Sequence, residues 1–220
     1  MSGSFFILEL VGTVAFAVSG AVVGLNKRMD VLGVVILAVT TAVGGGALRD
    51  VVLGITPPNM FRDPVYTVLA VVTGLVIFLP KTRALIKRDR AAGDRILFWI
   101  DSVGLGIFTA VGVQTAEMRL EEPGVLLLLF VGVITGCGGG LMRDVMAGVR
   151  PYILTKHFYA CASLIGSAVC ACLWDLTSPG GAMIAATVVV VALRWCAATF
   201  RWSLPKGTPL QEDEESGGAK

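Results

Sequence analysis

The sequence predicts an all-α membrane protein: seven transmembrane helices, arranged as a 3+3 inverted repeat plus one extra helix. Three observations carry this. First, apolar residues make up 55% of the 220, the mean hydropathy is +0.79, and the apolar residues fall in blocks of about 17–22, the length of a membrane span. Second, Gly44-Gly45-Gly46-Ala47-Leu48-Arg49-Asp50 recurs as Gly138-Gly139-Gly140-Leu141-Met142-Arg143-Asp144, each copy closing an apolar block. Third, lysine and arginine are distributed unevenly among the connections.

In chain order, span 1 covers about 5–25 and carries Glu9. Residues 1–5 hold no Lys or Arg, so this span reads as retained rather than as a cleaved leader. A tight loop, 26–30, leads to span 2, which starts near Val31 and runs into the first glycine triplet. A short second piece then reaches about Gly54, and 56–59 form a Pro-Pro turn. Span 3 covers about 64–80, and 81–95 read as a polar, strongly basic connection. Span 4, about 96–116, carries Asp101; 117–123 form an acidic loop. Span 5 runs from about Gly124 into the second triplet, and 149–152 form a turn. Spans 6 and 7 cover about 157–174 and 180–200. The chain thus reads as one transmembrane domain, 1–204, with repeat 1 at about 5–80 and repeat 2 at about 96–174. Residues 205–220, with the acidic run 212–215, read as a disordered cytoplasmic tail.

The repeat extends beyond the motif. At an offset of 94, residues 44–57 match 138–151 at eight of fourteen positions, and Thr41 falls on Thr135. At an offset of 92, Glu9, Val11, Gly12, Phe16 and Gly20 fall on Asp101, Val103, Gly104, Phe108 and Gly112. A unit of three spans forces the two copies into opposite orientations in the membrane. Loop charge then fixes the sides. Fifteen Lys and Arg fall on the side of the 81–95 connection and three (Arg49, Arg62, Arg119) on the other. By the positive-inside rule the N-terminus lies outside and the C-terminus in the cytoplasm.

Three consecutive glycines cost about 1 kcal/mol each in a helix relative to alanine, so the sequence predicts a kink or break at Gly44–Gly46 and at Gly138–Gly140. In hydrocarbon, interrupted backbone is tolerated where it is buried in protein or lines a water-filled cavity. Interruptions in corresponding positions of two repeats point to a transport path. The competing reading is that glycines let helices pack closely. Thr41 and Thr135, one turn earlier, are candidate lining hydroxyls, or else bond back to their own helix. Arg49, Asp50, Arg143 and Asp144 are the foremost charged candidates. Symmetry suggests cross-repeat pairs, Arg49 with Asp144 and Arg143 with Asp50, acting as a clamp, as a contact for the permeant species, or as both. Glu9 and Asp101 are vestibule candidates, or interfacial carboxylates.

The remaining composition excludes several classes. The net charge of +2 gives no nucleic-acid-binding face. Cys137, Cys161, Cys170, Cys172 and Cys196 all fall in spans and read as packing residues, and His157 stands alone, so no metal site is expected. Spans 6 and 7 carry small residues at helical spacing, such as Ser163, Gly166 and Gly181, which read as packing faces. No phosphate loop, dinucleotide fingerprint or nucleophile–base pattern is present, so neither an enzyme nor a cofactor is expected.

The doubled Gly-Gly-Gly-x-x-Arg-Asp, the Gly and Pro that follow each copy, and the acidic starts of spans 1 and 4 resemble the prokaryotic trimeric intracellular cation (TRIC) channels. That group overlaps a bacterial family named for glycine transport. The resemblance covers about residues 4–200. It implies a homotrimer in the inner (plasma) membrane, bathed in membrane lipid, with a pore inside each protomer. The pore is lined by helices 2 and 5, kinked at the triplets, and passes potassium and other monovalent cations. One departure stands out: span 1 carries Glu9 where span 4 carries Asp101. The alternatives are a secondary transporter of a small zwitterion such as glycine and a scaffold whose glycines only pack helices. The carbonyl-filter sequence Thr-Val-Gly-Tyr-Gly is missing, which predicts modest ion selectivity.

Overall fold

The computed structural model describes residues 3–88, 90–155 and 158–202, and their regular structure is entirely helical. The tail 205–220 and His157 lie outside the described residues. Ten helices are described: α1 Gly3–Asn26, α2 Val31–Val52, α3 Asn59–Arg62, α4 Val65–Phe78, α5 Pro80–Arg88, α6 Arg90–Arg119, α7 Val125–Met146, α8 Tyr152–Thr155, α9 Tyr159–Trp174 and α10 Pro179–Thr199. Five of them are long and apolar enough to cross a bilayer: Phe6–Asn26, Val31–Val52, Arg95–Arg119, Val125–Met146 and Pro179–Thr199. α4 and α9 are apolar but only 14 and 16 residues long. At 1.5 Å per residue they reach about 21–24 Å, short of a hydrocarbon core of about 30 Å.

Two sequence expectations change. In the basic connection 81–95 the described residues are helical, in α5 and the start of α6. Of the predicted kink or break, a break is absent: α2 and α7 each continue as helix through their glycine triplet. The propensity cost is outweighed by packing, because the triplets mark where α2 and α7 cross. A Cβ on Gly45 would strike the carbonyl oxygen of Thr135 and come within 3.2 Å of the Gly139 nitrogen. Reciprocally, a Cβ on Gly139 would strike the carbonyl oxygen of Thr41. The helices touch backbone to backbone, which only small residues permit.

Around that crossing, α1 packs on α2 and α4, α6 packs on α7 and α9, and α1 meets α6. α10 closes over α6 and α9. Equivalent contacts recur in the two halves. Gly20 lies against Leu37 and Thr41, and Gly112 against Val131 and Thr135. Between α1 and α6, Gly12 faces Phe108, Gly104 faces Phe16, and Ser19 faces Asp101. One number falls as the other rises, so the two first helices of the repeats run antiparallel.

The helices that carry the motif also end alike. Gly54 and Gly148 have φ of +65° and +63°, a region where glycine is free of the Cβ penalty. Gly54 donates to the Val51 carbonyl at 3.2 Å and Ile55 to that of Asp50 at 2.8 Å. Gly148 donates to Val145 at 3.1 Å and Val149 to Asp144 at 3.0 Å. Both are Schellman C-caps, which satisfy carbonyls that would otherwise be orphaned.

Candidate functional site

Each Arg-Asp of the motif folds back on itself, and the expected cross-repeat pairs do not form. Arg49 donates to Asp50 Oδ1 from Nε at 2.9 Å and from Nη2 at 2.7 Å. Arg143 donates from Nε to Asp144 Oδ1 at 2.8 Å. The second carboxylate oxygen of each aspartate then caps the short helix beyond the turn. Asp50 Oδ2 accepts from the Asn59 backbone at 2.7 Å and Asp144 Oδ2 from the Tyr152 backbone at 2.8 Å. The long arginine side chain reaches its neighbour's carboxylate, so no cross-repeat partner is needed. All four residues are buried, where a lone charge would be costly.

The threonines are accounted for in the same symmetric way. Thr41 and Thr135 donate to the carbonyls of Leu37 and Val131, four residues back. They lie beneath Gly20 and Gly112. Their hydroxyls are used within their own helices, and neither residue lines the cavity described next.

Beside the first triplet lies a cavity of about 190 Å³. Gly46, Arg49 and Asp50 of α2, Glu9 and Thr13 of α1, Tyr66 of α4 and Asp63 of the α3–α4 turn lie on its wall. Three carboxylates thus face one guanidinium. Asp50 is already paired with Arg49. Glu9 accepts a hydrogen bond from the Tyr66 hydroxyl, and among the described residues it forms no ion pair. At Gly46 a Cβ would meet only Arg49 Nη2, at 3.7 Å, so the backbone there faces open space.

The corresponding place in the second half is filled differently. Beside Gly140, the position of a Cβ lies 3.3 Å from the Tyr159 hydroxyl and 3.7 Å from Arg143 Nη2. Asp101 takes no hydrogen bond from the buried Tyr159 hydroxyl. It accepts from Arg143 Nη1 at 3.2 Å and from Arg194 Nη2 at 3.2 Å. Ser19 of the first half completes the cluster by accepting from Arg143 Nη1. Asp101, Asp144, Arg143 and Arg194 are all buried.

This fold and motif geometry can be set beside known proteins. The sequence matches the family described as "Glycine transporter" over residues 6–81 and 98–175, one segment in each half. The chain belongs to this family. Among its relatives is the inner membrane protein YadS of Escherichia coli, 37% identical over 86% of this chain and 91% of YadS. The membrane protein YvgT of Bacillus subtilis is 34% identical over 90% of this chain and 94% of YvgT. The structure also has the fold of the TRIC channels. It matches the TRIC orthologue from Rhodobacter sphaeroides with a TM-score of 0.81 and 31% identity, covering 90% of this chain and 99% of that one. A structure described as showing the basis for conductance through TRIC cation channels matches with a TM-score of 0.81 and 35% identity, covering 94% and 98%.

In this member of the glycine-transporter family, three site residues escaped the sequence reading. Arg194 counted as a loop cation, yet it sits inside α10 at 6% exposure. An arginine within an apolar span is the signal that marks it. Tyr66 stands near the start of span 3, where an aromatic is common at a membrane interface, and its hydroxyl binds Glu9. Ser19 carried no signal, since a serine in a membrane helix is common. When the buried Arg49, Arg143 and Arg194 are removed from the loop tally, the bias remains thirteen against two.

Proposed function

We propose that the chain forms a channel for monovalent cations, potassium foremost, in the inner membrane, with a path inside each protomer. The observation that carries this reading is the cavity beside Gly46. A cavity set among the membrane helices and lined by three carboxylates and one guanidinium stabilises a cation relative to an anion. The names of the TRIC neighbours as cation channels and of YadS as an inner membrane protein support it. The path runs along α2 and α7, where Gly46 leaves backbone on its wall and the triplets serve as bending points. Arg49, Asp50, Arg143 and Asp144 hold its two ends, and Glu9 draws cations toward the cavity. Three protomers assemble, as the TRIC neighbours' names say of them. The N-terminus lies outside and the C-terminus in the cytoplasm. The protein is a membrane channel and not an enzyme.

Glycine transport is the second reading. The family description favours it, and a cavity holding both Arg49 and Glu9 offers a partner to each end of a zwitterion. One experiment separates the two. In proteoliposomes containing only this protein, the channel reading expects potassium currents in single-channel steps that glycine leaves unchanged. Saturable uptake of labelled glycine without such steps overturns it.

A further inference from the structure

The two halves of the fold share the motif but differ in charge, and the difference comes from a helix that belongs to neither. α10 has no counterpart in the first half. It delivers Arg194, whose guanidinium lies between the rings of Phe98 and Tyr159, 4.9 and 4.6 Å from their centroids. Arg194 also donates from Nε to Ser102 at 3.0 Å. Held in this way, it bonds Asp101 on the oxygen that Arg143 leaves free. The buried cluster at this end therefore contains two carboxylates and two guanidinium groups and is neutral. Among the described residues, Glu9, which stands at the position of Asp101 in the other half, receives only the neutral Tyr66 hydroxyl on its carboxylate. Ser19 of α1 touches Asp101, and Glu9 lies ten residues earlier on the same helix, so the two carboxylates are about 15 Å apart along it.

We infer that Arg194 is a positioning residue for conduction: by occupying Asp101 it leaves the Glu9 end as the anionic mouth of the path, so that cations pass more readily in from that end than from the other. This rests on the channel reading proposed above. The family motif does not contain the feature, because Arg194 lies outside both repeats.

The test is the current–voltage relation of the full-length protein in bilayers of one insertion direction, with equal potassium chloride on both sides. The wild type is expected to rectify. Arg194→Gln leaves one Asp101 oxygen without its arginine, with Arg143 still on the other, and gives the cluster a net charge of −1. A unit charge about 8 Å from an ion path in water raises cation occupancy about twofold, so the current ratio is expected to move toward unity by about that factor. Asp101→Asn with Arg194→Gln removes the freed charge and is expected to restore the wild-type ratio, whereas loss of a purely structural anchor would harm both variants alike. Arg194→Lys keeps the charge, is expected to rectify as the wild type does, and serves if Arg194→Gln fails to fold. A linear wild-type relation, an unchanged ratio in Arg194→Gln, an Arg194→Lys ratio shifted toward unity, or a double variant that matches the single one overturns the inference while leaving the channel reading intact. A wild-type protein that passes no potassium overturns both.

Discussion

Replacing Gly45 by alanine gives the most direct test of what the triplets do. As a helix residue, alanine is better than glycine by about 1 kcal/mol, so a triplet that merely tolerates helix should be stabilised. The structure gives the opposite sign. The added methyl would press on the Thr135 carbonyl and stand 3.1 Å from its carbon and 3.2 Å from the Gly139 nitrogen. All three are backbone atoms, so α2 and α7 must separate. Overpacking of this kind costs about 1–3 kcal/mol, and more where only backbone can yield. With only backbone able to yield, the cost falls in the upper part of that range, about 2–3 kcal/mol, and the net loss after the propensity gain is about 1–2 kcal/mol, which for a chain of this size lowers Tm by about 2–8 °C. Gly46→Ala is the internal control, because its methyl meets only Arg49 Nη2 at 3.7 Å and it keeps the propensity gain. Cys137 and Cys170 are buried free thiols, so a thiol-reactive fluorophore reports unfolding in detergent. An unfolding temperature for Gly45→Ala at or above that of the wild type would refute the backbone-contact account.

The clasp and the cavity give two further predictions. Asp50→Ala should destabilise more than Asp144→Ala, because among the described residues Arg49 pairs with Asp50 alone, whereas Arg143 keeps Asp101. Stripping a buried charge of its partner costs about 3–5 kcal/mol, and the same thiol-reactivity melt, run on both variants, measures the difference. Glu9→Gln should lower potassium flux while leaving stability close to wild type, and Gly46→Ala should lower flux by narrowing the cavity without loss of stability. Flux and melting temperature measured on the same preparations check both, and a Glu9→Gln protein with undiminished flux would remove Glu9 from the path.

The fold was legible because its two signals are of a kind that sequence preserves. Span-length apolar blocks and a fourteen-residue repeat need no knowledge of contacts, and they placed α1, α2, α4, α6, α7, α9 and α10 close to where the structure has them. The continuity of α2 and α7 was not legible, because glycine propensity is a local quantity and the compensation at Gly45 and Gly139 comes from the other repeat. The charge pairing failed for a related reason. The cross-repeat pairs were expected from symmetry alone, and side chains at i and i+1 do not face each other on an ideal helix. The structure shows the arginine reaching along its own backbone, so the pair closes within the dipeptide.

The motif therefore does the same work twice, and function must be sought where the copies part. The glycines make the crossing, the arginine fixes the aspartate, the aspartate caps α3 or α8, and Gly54 or Gly148 turns the chain between them. All of this is equal in the two halves and would suit a symmetric object. The inequalities lie in what surrounds the motif: Glu9 against Asp101, Gly46 facing open space against Gly140 facing Tyr159, and Arg194 with no counterpart. One methylene more in Glu9 lets its carboxylate meet the Tyr66 hydroxyl, while the shorter Asp101 is held by two arginines. A search for the motif thus identifies the fold. The two halves differ at five side chains that such a search would pass over: Glu9, Tyr66, Asp101, Tyr159 and Arg194.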